Sequence, residues 1–123
     1  MDNLAIARVL SDVGSLLEIK GANPFKIRAY RQAADVVGHL AERVSDFTDE
    51  DLRALPGIGK DLSAKIRELA DHGRLGYLDE LLEEFPATIL DLLRLRGVGP
   101  RTVALLYREL SIDSLEALES AAQ

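Results

Sequence analysis

The chain has 123 residues, 47% of them hydrophobic, and a formal charge of −6 from 15 Lys and Arg against 21 Asp and Glu. That length allows one compact domain, or a small domain with part of another, and the lack of cysteine excludes disulfides, thiolate metal sites and cysteine nucleophiles. Met1-Asp2-Asn3 opens no secretory signal and no apolar run approaches a membrane span, so a cytoplasmic protein is expected, nucleoid-associated if the source is prokaryotic.

Leu4, Ile6, Val9, Leu10, Val13, Leu16 and Leu17 recur at helical spacing, and Gly21 can end that helix as a left-handed cap. Asn23-Pro24 reads as an N-cap followed by proline in the first turn. The helix it opens is expected to bury Phe25, Ala29, Ala33, Val37 and Leu40 along one stripe. Thr48 can cap a short helix whose first turn holds Asp49, Glu50 and Asp51, where the macrodipole favours acids. Helical patterns follow over 60–71, 77–85, 89–95, 100–110 and 115–122, and no segment alternates as a strand would. The expected fold class is all-α.

The acidic total argues against a nucleic-acid partner, but distribution counts for more, because charges are screened beyond about 8–10 Å in physiological salt. Between Ile19 and Ala34 lie Lys20, Lys26, Arg28 and Arg31 and no acid. Between Leu92 and Arg108 lie Arg94, Arg96, Arg101 and Arg108, again without an acid. The acids gather elsewhere, in Asp46 with Asp49, Glu50 and Asp51, and in Asp79, Glu80, Glu83 and Glu84. This pattern permits a phosphate-binding face.

An internal repeat runs with a period of forty residues. Leu55, Gly57, Ile58, Gly59, Ala64 and Ile66 correspond to Leu95, Gly97, Val98, Gly99, Ala104 and Leu106. Each copy reads helix, Gly-apolar-Gly, helix. Glycine lets the chain reverse within a few residues, and the apolar residue between the glycines can pin the turn to the core. The bare glycine amides can then face outward at the mouth of the second helix, an anion site suited to a phosphate oxygen. Ala64 and Ala104 are expected to let the paired helices pack closely. A cation follows each turn, Lys60 and Arg101. Such a corner reads backbone and not bases, so it predicts sequence-tolerant, salt-sensitive binding.

Taken together, these motifs resemble the amino-terminal region of X-family DNA polymerases, the family of DNA polymerase beta. The run from Asn23 through Ala34, with its Ala29-Tyr30-Arg31-Gln32-Ala33-Ala34 core, is similar to the helix of that family's lyase domain. Leu55-Pro56-Gly57-Ile58-Gly59 and Leu95-Arg96-Gly97-Val98-Gly99-Pro100 are similar to its two helix-hairpin-helix turns, in the same order and spacing. The likeness covers nearly the whole chain. It implies a four-helix lyase-like domain with the first hairpin over 1–86, and a second hairpin unit over 87–123. It also implies a monomer that binds gapped or nicked DNA carrying a 5′-phosphate. Gly57, Ile58, Gly59 and Lys60 would hold the downstream side, and Gly97, Val98, Gly99 and Arg101 the primer side. Lys26 and Tyr30 would belong to the 5′-phosphate pocket, with Arg31 beside them on the same basic helix. A K⁺ or Na⁺ ion at each hairpin would take backbone carbonyls of Arg53, Leu55 and Ile58, and of Leu93, Leu95 and Val98. The resemblance implies no other cofactor.

The family's first domain can carry a 5′-deoxyribose-phosphate lyase, in which a lysine amine forms a Schiff base with the sugar aldehyde. Lys65 matches that lysine. Here the chain departs from the family, with Asp61, Phe25 and Tyr77 in place of two pocket lysines and a histidine: Asp61 and Tyr77 for the lysines, Phe25 for the histidine. Attack needs a neutral amine, and an Asp–Lys pair at i, i+4 favours the ammonium, so Lys65 reads as half of an ion pair as well as a nucleophile. Nucleotidyl transfer needs acidic residues holding Mg²⁺. Asp49-Glu50-Asp51 lacks the strand context of the family's palm, which is expected beyond Gln123 in a longer parent protein, together with its Mg²⁺. His39 and His72 are too isolated to be ligands. The competing reading is an acidic helical protein-interaction module that keeps the hairpin fold without binding DNA; the −6 charge and Asp61 speak for it.

Overall fold

A computed structural model describes residues 1–85 and 89–93, and every regular element among them is helical. These are α1 (Asn3–Lys20), α2 (Pro24–Gly38), a 3₁₀ turn (Val44–Asp46), α3 (Asp49–Arg53), α4 (Lys60–His72), α5 (Gly76–Leu82) and α6 (Ile89–Leu93). The all-α expectation holds. The second hairpin and the helices expected over 100–110 and 115–122 lie outside the described residues.

Local chemistry sets the ends of α1 and α2. The Asp2 carboxylate accepts from the Ala5 amide at 2.7 Å and starts α1. Gly21 ends it at φ 81°, with the Ala22 amide reaching back to the Leu17 carbonyl at 2.9 Å, so a left-handed residue closes the last turn. Asn23 caps α2 through Phe25 N–H at 2.8 Å, with Pro24 in the first turn. The three-residue link forces α2 back along α1. Gly14 faces Tyr30 and Arg31, Gly38 faces Ala7, and the Asn3 side chain bonds the Glu42 carbonyl at 2.7 Å and the Val44 amide at 3.0 Å, as an antiparallel pair requires.

One core joins the elements: Ile6, Leu10, Val13 and Leu17 of α1 meet Tyr30, Ala33 and Val37 of α2, Leu52 of α3, and Leu62, Ile66 and Leu69 of α4. Leu75, Leu81 and Ile89 close it from the α5 side. The expected stripe on α2 needs correction at its start, because Phe25 is 74% exposed. Each step of four residues rotates about 40° around a helix of 3.6 residues per turn, so Phe25 stands about 120° from Val37. The buried face follows Tyr30, Ala33 and Val37 instead. Ala64 also differs from expectation. It is exposed, while Leu62 and Ser63 carry the packing, so its small side chain leaves a shallow cleft beside α3 and does not bring helices together.

The segment leading into the hairpin is held by α4. The Arg67 guanidinium donates to the carbonyls of Ser45 (3.4 Å) and Phe47 and lies 3.6 Å from Asp49. Thr48 and Asp51 form a reciprocal capping box at 3.1 Å in each direction.

Candidate nucleic-acid interface

The first hairpin is a four-residue turn between α3 and α4. The Ile58 amide donates to the Leu55 carbonyl at 3.2 Å, Pro56 occupies the second position, and Gly57 the third at φ 76°. Proline fixes its own φ, and glycine alone accepts a positive φ without steric cost, so Leu-Pro-Gly-Ile encodes a type II turn. Ile58, 3% exposed, anchors the turn in the core, as expected from its place between the glycines. Gly57, Gly59 and Lys60 are exposed.

Gly59 is the N-cap of α4, in extended backbone at φ −94° and ψ −167°, with no side chain bonded to the helix end. Among the described residues the amides of Gly59, Lys60, Asp61 and Leu62 meet no acceptor, as the first turn of a helix leaves them. Asp61 sits in that turn but its carboxylate is turned to Lys65 Nζ at 2.7 Å. The helix mouth is thus open, positively polarised and uncapped by an acid. Gln32 on α2 touches the corner from the side: a Cβ on Gly57 would lie 2.6 Å from its carboxamide. No sequence pattern pointed to Gln32, since its contact crosses between distant segments.

A second cluster lies between α2, α4 and α5. The rings of Tyr30 and Tyr77 stack with centroids 6.0 Å apart and planes 20° from parallel. Lys26 Nζ lies 5.1 Å and Lys65 Nζ 5.0 Å from the Tyr77 centroid, so both ammonium groups meet one aromatic ring. Tyr77 therefore fills the space over Tyr30, whose hydroxyl is sealed from solvent and has no hydrogen-bond partner. Burial, then the neighbouring Tyr77, then the Asp61 charge push the Tyr30 phenol up from its ordinary value.

The structure brings Lys26, Tyr30 and Lys65 together, and places Gly57, Ile58, Gly59 and Lys60 at one corner. Arg31 is elsewhere: it turns toward α1, where it pairs with Glu18 at 2.8 Å. Arg53 and Leu55 flank the hairpin; the Leu55 carbonyl already accepts the Ile58 amide, and Arg53 Nε donates to the Asp49 carbonyl at 3.3 Å. Leu93 closes α6, while Leu95, Gly97, Val98, Gly99 and Arg101 lie outside the described residues. Among the described residues no group of three or more His, Asp or Glu is placed to hold a metal, and no helix is long and apolar enough to cross a membrane.

The two helices, the glycine corner and the uncapped helix mouth define a helix-hairpin-helix. Residues 1–75 match the family model described as "Helix-hairpin-helix domain", and residues 89–123 match that of a "SAM-like Helix-hairpin-helix tandem". The chain belongs to the helix-hairpin-helix domain family. It is also similar to the DNA polymerase/3'-5' exonuclease PolX of Bacillus subtilis (strain 168), with 36% identity over 118 residues. That alignment takes in 96% of this chain and 20% of the relative, so the chain spans about a fifth of the relative's length. The likeness to X-family polymerases read from the motifs is thereby found over nearly the full sequence.

Proposed function

We propose that the chain holds interrupted DNA, gapped or nicked and bearing a 5′-phosphate, by the backbone of its strands, as part of an X-family repair polymerase. The observation that carries this reading is the corner at Gly57–Gly59, exposed and without an acidic cap, with the amides of Gly59 and the first turn of α4 unclaimed and Lys60 beside them. A phosphate oxygen is the acceptor such a corner suits. Carbonyl oxygens of Arg53, Leu55 and Ile58 are hard donors of the type a K⁺ or Na⁺ ion takes, and the Leu55 oxygen keeps a second acceptor site beside its bond to Ile58. The second hairpin, with Gly97, Val98, Gly99 and Arg101, would hold a second phosphate in the same manner.

Backbone contact makes the central test one of salt and sequence. Titrated with gapped DNAs of three unrelated sequences, the chain is expected to bind all three within about threefold. Affinity should fall by at least about tenfold between 50 and 200 mM salt, as displacement of two or more counterions requires. Salt-independent binding, or none, overturns the reading.

Of the two readings of Lys65, ion-pair partner and nucleophile, its contacts support the first. Its amine donates to the Asp61 carboxylate and rests over Tyr77, an arrangement suited to an ammonium that attracts phosphate, not to a neutral amine attacking an aldehyde. Borohydride treatment with incised abasic DNA is expected to give no more covalent adduct from the native chain than from Lys65→Ala. An adduct that requires Lys65 would assign lyase chemistry to it.

A further inference from the structure

Helix α5 carries Tyr77 in its first turn, yet its own sequence supplies no cap for that turn. Leu75 stands at the N-cap and no side chain of α5 bonds the helix end. Seven residues are also too few to persist as a helix alone. Burial of Leu75 and Leu81 fastens α5 to the core, but apolar contact is non-directional and does not orient the ring.

The missing cap comes from α4. The Gly76 amide donates to the Glu68 carboxylate at 2.8 Å, in a partly buried setting. A carboxylate there also meets the positive end of the α5 dipole. A second tie, Arg74 to Asp79 at 2.5 Å, spans the same turn, but the Arg74 side chain is 75% exposed. Exposed pairs of that kind contribute little, so the charge-assisted bond to the Gly76 backbone is the stronger of the two.

Tyr77 follows Gly76 directly, so whatever holds the Gly76 amide holds the root of the ring. That ring stacks on Tyr30 and meets the ammonium groups of both Lys26 and Lys65. Lysine side chains are long, and ordering them only when a ligand arrives weakens binding. A ring already in place orders them beforehand.

We propose that Glu68 is a positioning residue for the 5′-phosphate: by capping α5 it seats the Tyr77 ring, and the ring holds two ammonium groups where the phosphate arrives. This rests on the reading of Lys26 and Lys65 as cations that attract a 5′-phosphate, and adds what sets their place. Glu68 itself touches no DNA.

The test uses the 123-residue chain and two gapped DNAs of one sequence, with either a 5′-phosphate or a 5′-hydroxyl at the gap. The native chain is expected to favour the phosphate by at least about tenfold, as one charge-assisted contact requires. Glu68→Ala should lower that preference at least about fivefold, the effect of ordering two lysine side chains only on binding. Its affinity for the 5′-hydroxyl DNA should stay within about twofold of native, because the hairpin is untouched. Glu68→Gln keeps an oxygen for the Gly76 amide and should retain most of the preference, and Arg74→Ala should retain it within about twofold.

Gly76→Pro cuts the same bond from the other side and decides the matter should Glu68→Ala fail to fold. Proline suits the first helical position, and Leu75 before it is already extended at φ −128° and ψ 116°. A Cβ at Gly76 comes no nearer to Glu68 than an ordinary contact of 3.5 Å. The preference should fall as in Glu68→Ala. Because Glu68 acts through the ring, adding Glu68→Ala to Tyr77→Leu should cost no more than Tyr77→Leu alone. Additive losses, or a preference unmoved by Glu68→Ala and Gly76→Pro, overturn the positioning role and leave the 5′-phosphate site standing. A native chain that binds both DNAs alike overturns the 5′-phosphate site, and the role of Glu68 with it.

Discussion

Gly59→Val should leave the chain folded and lower its affinity for gapped DNA by at least about tenfold, the loss expected when hydrogen bonds to a charged phosphate are blocked. The backbone at Gly59 is extended, and a Cβ built there meets nothing within 4 Å, so valine fits the native conformation. Its cost to folding is the weaker N-cap, about 1 kcal/mol. The same open space is what a phosphate needs, and a branched side chain would stand in it. Gly57→Val provides the contrast. Its φ of 76° strains any residue with a Cβ by roughly 1–2 kcal/mol, more for a branched one, and the new side chain would displace Gln32. That contact is with the flexible end of an exposed glutamine, so Gln32→Ala should recover little of the loss, which belongs to the backbone. Urea denaturation with anisotropy titrations on both variants checks the pair. A Gly59→Val chain that binds like the native one would show that the corner is not the phosphate site.

Tyr30→Phe should raise stability at neutral pH by up to about 1 kcal/mol and remove an alkaline weakening that the native chain shows. The hydroxyl is buried without a partner, and deleting an unsatisfied buried donor removes its desolvation cost. The pH dependence follows from the raised phenol. In the unfolded chain tyrosine ionises near pH ~10, whereas in the folded chain it holds its proton to higher pH. Above the unfolded value the unfolded state binds fewer protons than the folded one, so unfolding becomes easier as pH rises. The Tyr30 contribution is therefore complete below about pH 10 and declines above it. Denaturation curves at pH 8, 10 and 11 for both chains isolate it, since the other titrating groups are shared. Parallel pH profiles would mean that the Tyr30 hydroxyl reaches water in solution.

The elements legible in the sequence are those decided by neighbouring residues. Asn23 at an N-cap, Gly21 in a left-handed cap, Thr48 as the cap of α3 and the turn at Pro56-Gly57 are local bonds, and each occurs. The Asp61–Lys65 pair was equally accessible, because i, i+4 spacing on a helix places the groups side by side. What escaped depends on packing between segments. Phe25 belongs to an apolar i, i+4 series, but such a series winds around the helix while the covering helices do not, so its first member emerges into solvent. Ala64 matches the register of the repeat, yet the neighbouring α3 is too short to cover it. Tyr77 reads only as a replacement for a pocket lysine; its part as a ring shared by two lysines needs α2, α4 and α5 in place at once. The first hairpin was therefore legible almost to the residue, and the tyrosine–lysine cluster only as a set of substitutions.

Arg67 gives the hairpin its mechanical character. A five-residue α3 has too few internal bonds to persist alone, and it is fastened from the opposite side of the turn, where Arg67 of α4 takes the carbonyls just ahead of the Thr48 cap. The two arms of the corner are thus a clasp with its pin on the far arm: α3 cannot loosen without tugging α4. Amide hydrogens of both helices should then exchange as one block, so a strand seated at the glycines meets a stiff jaw.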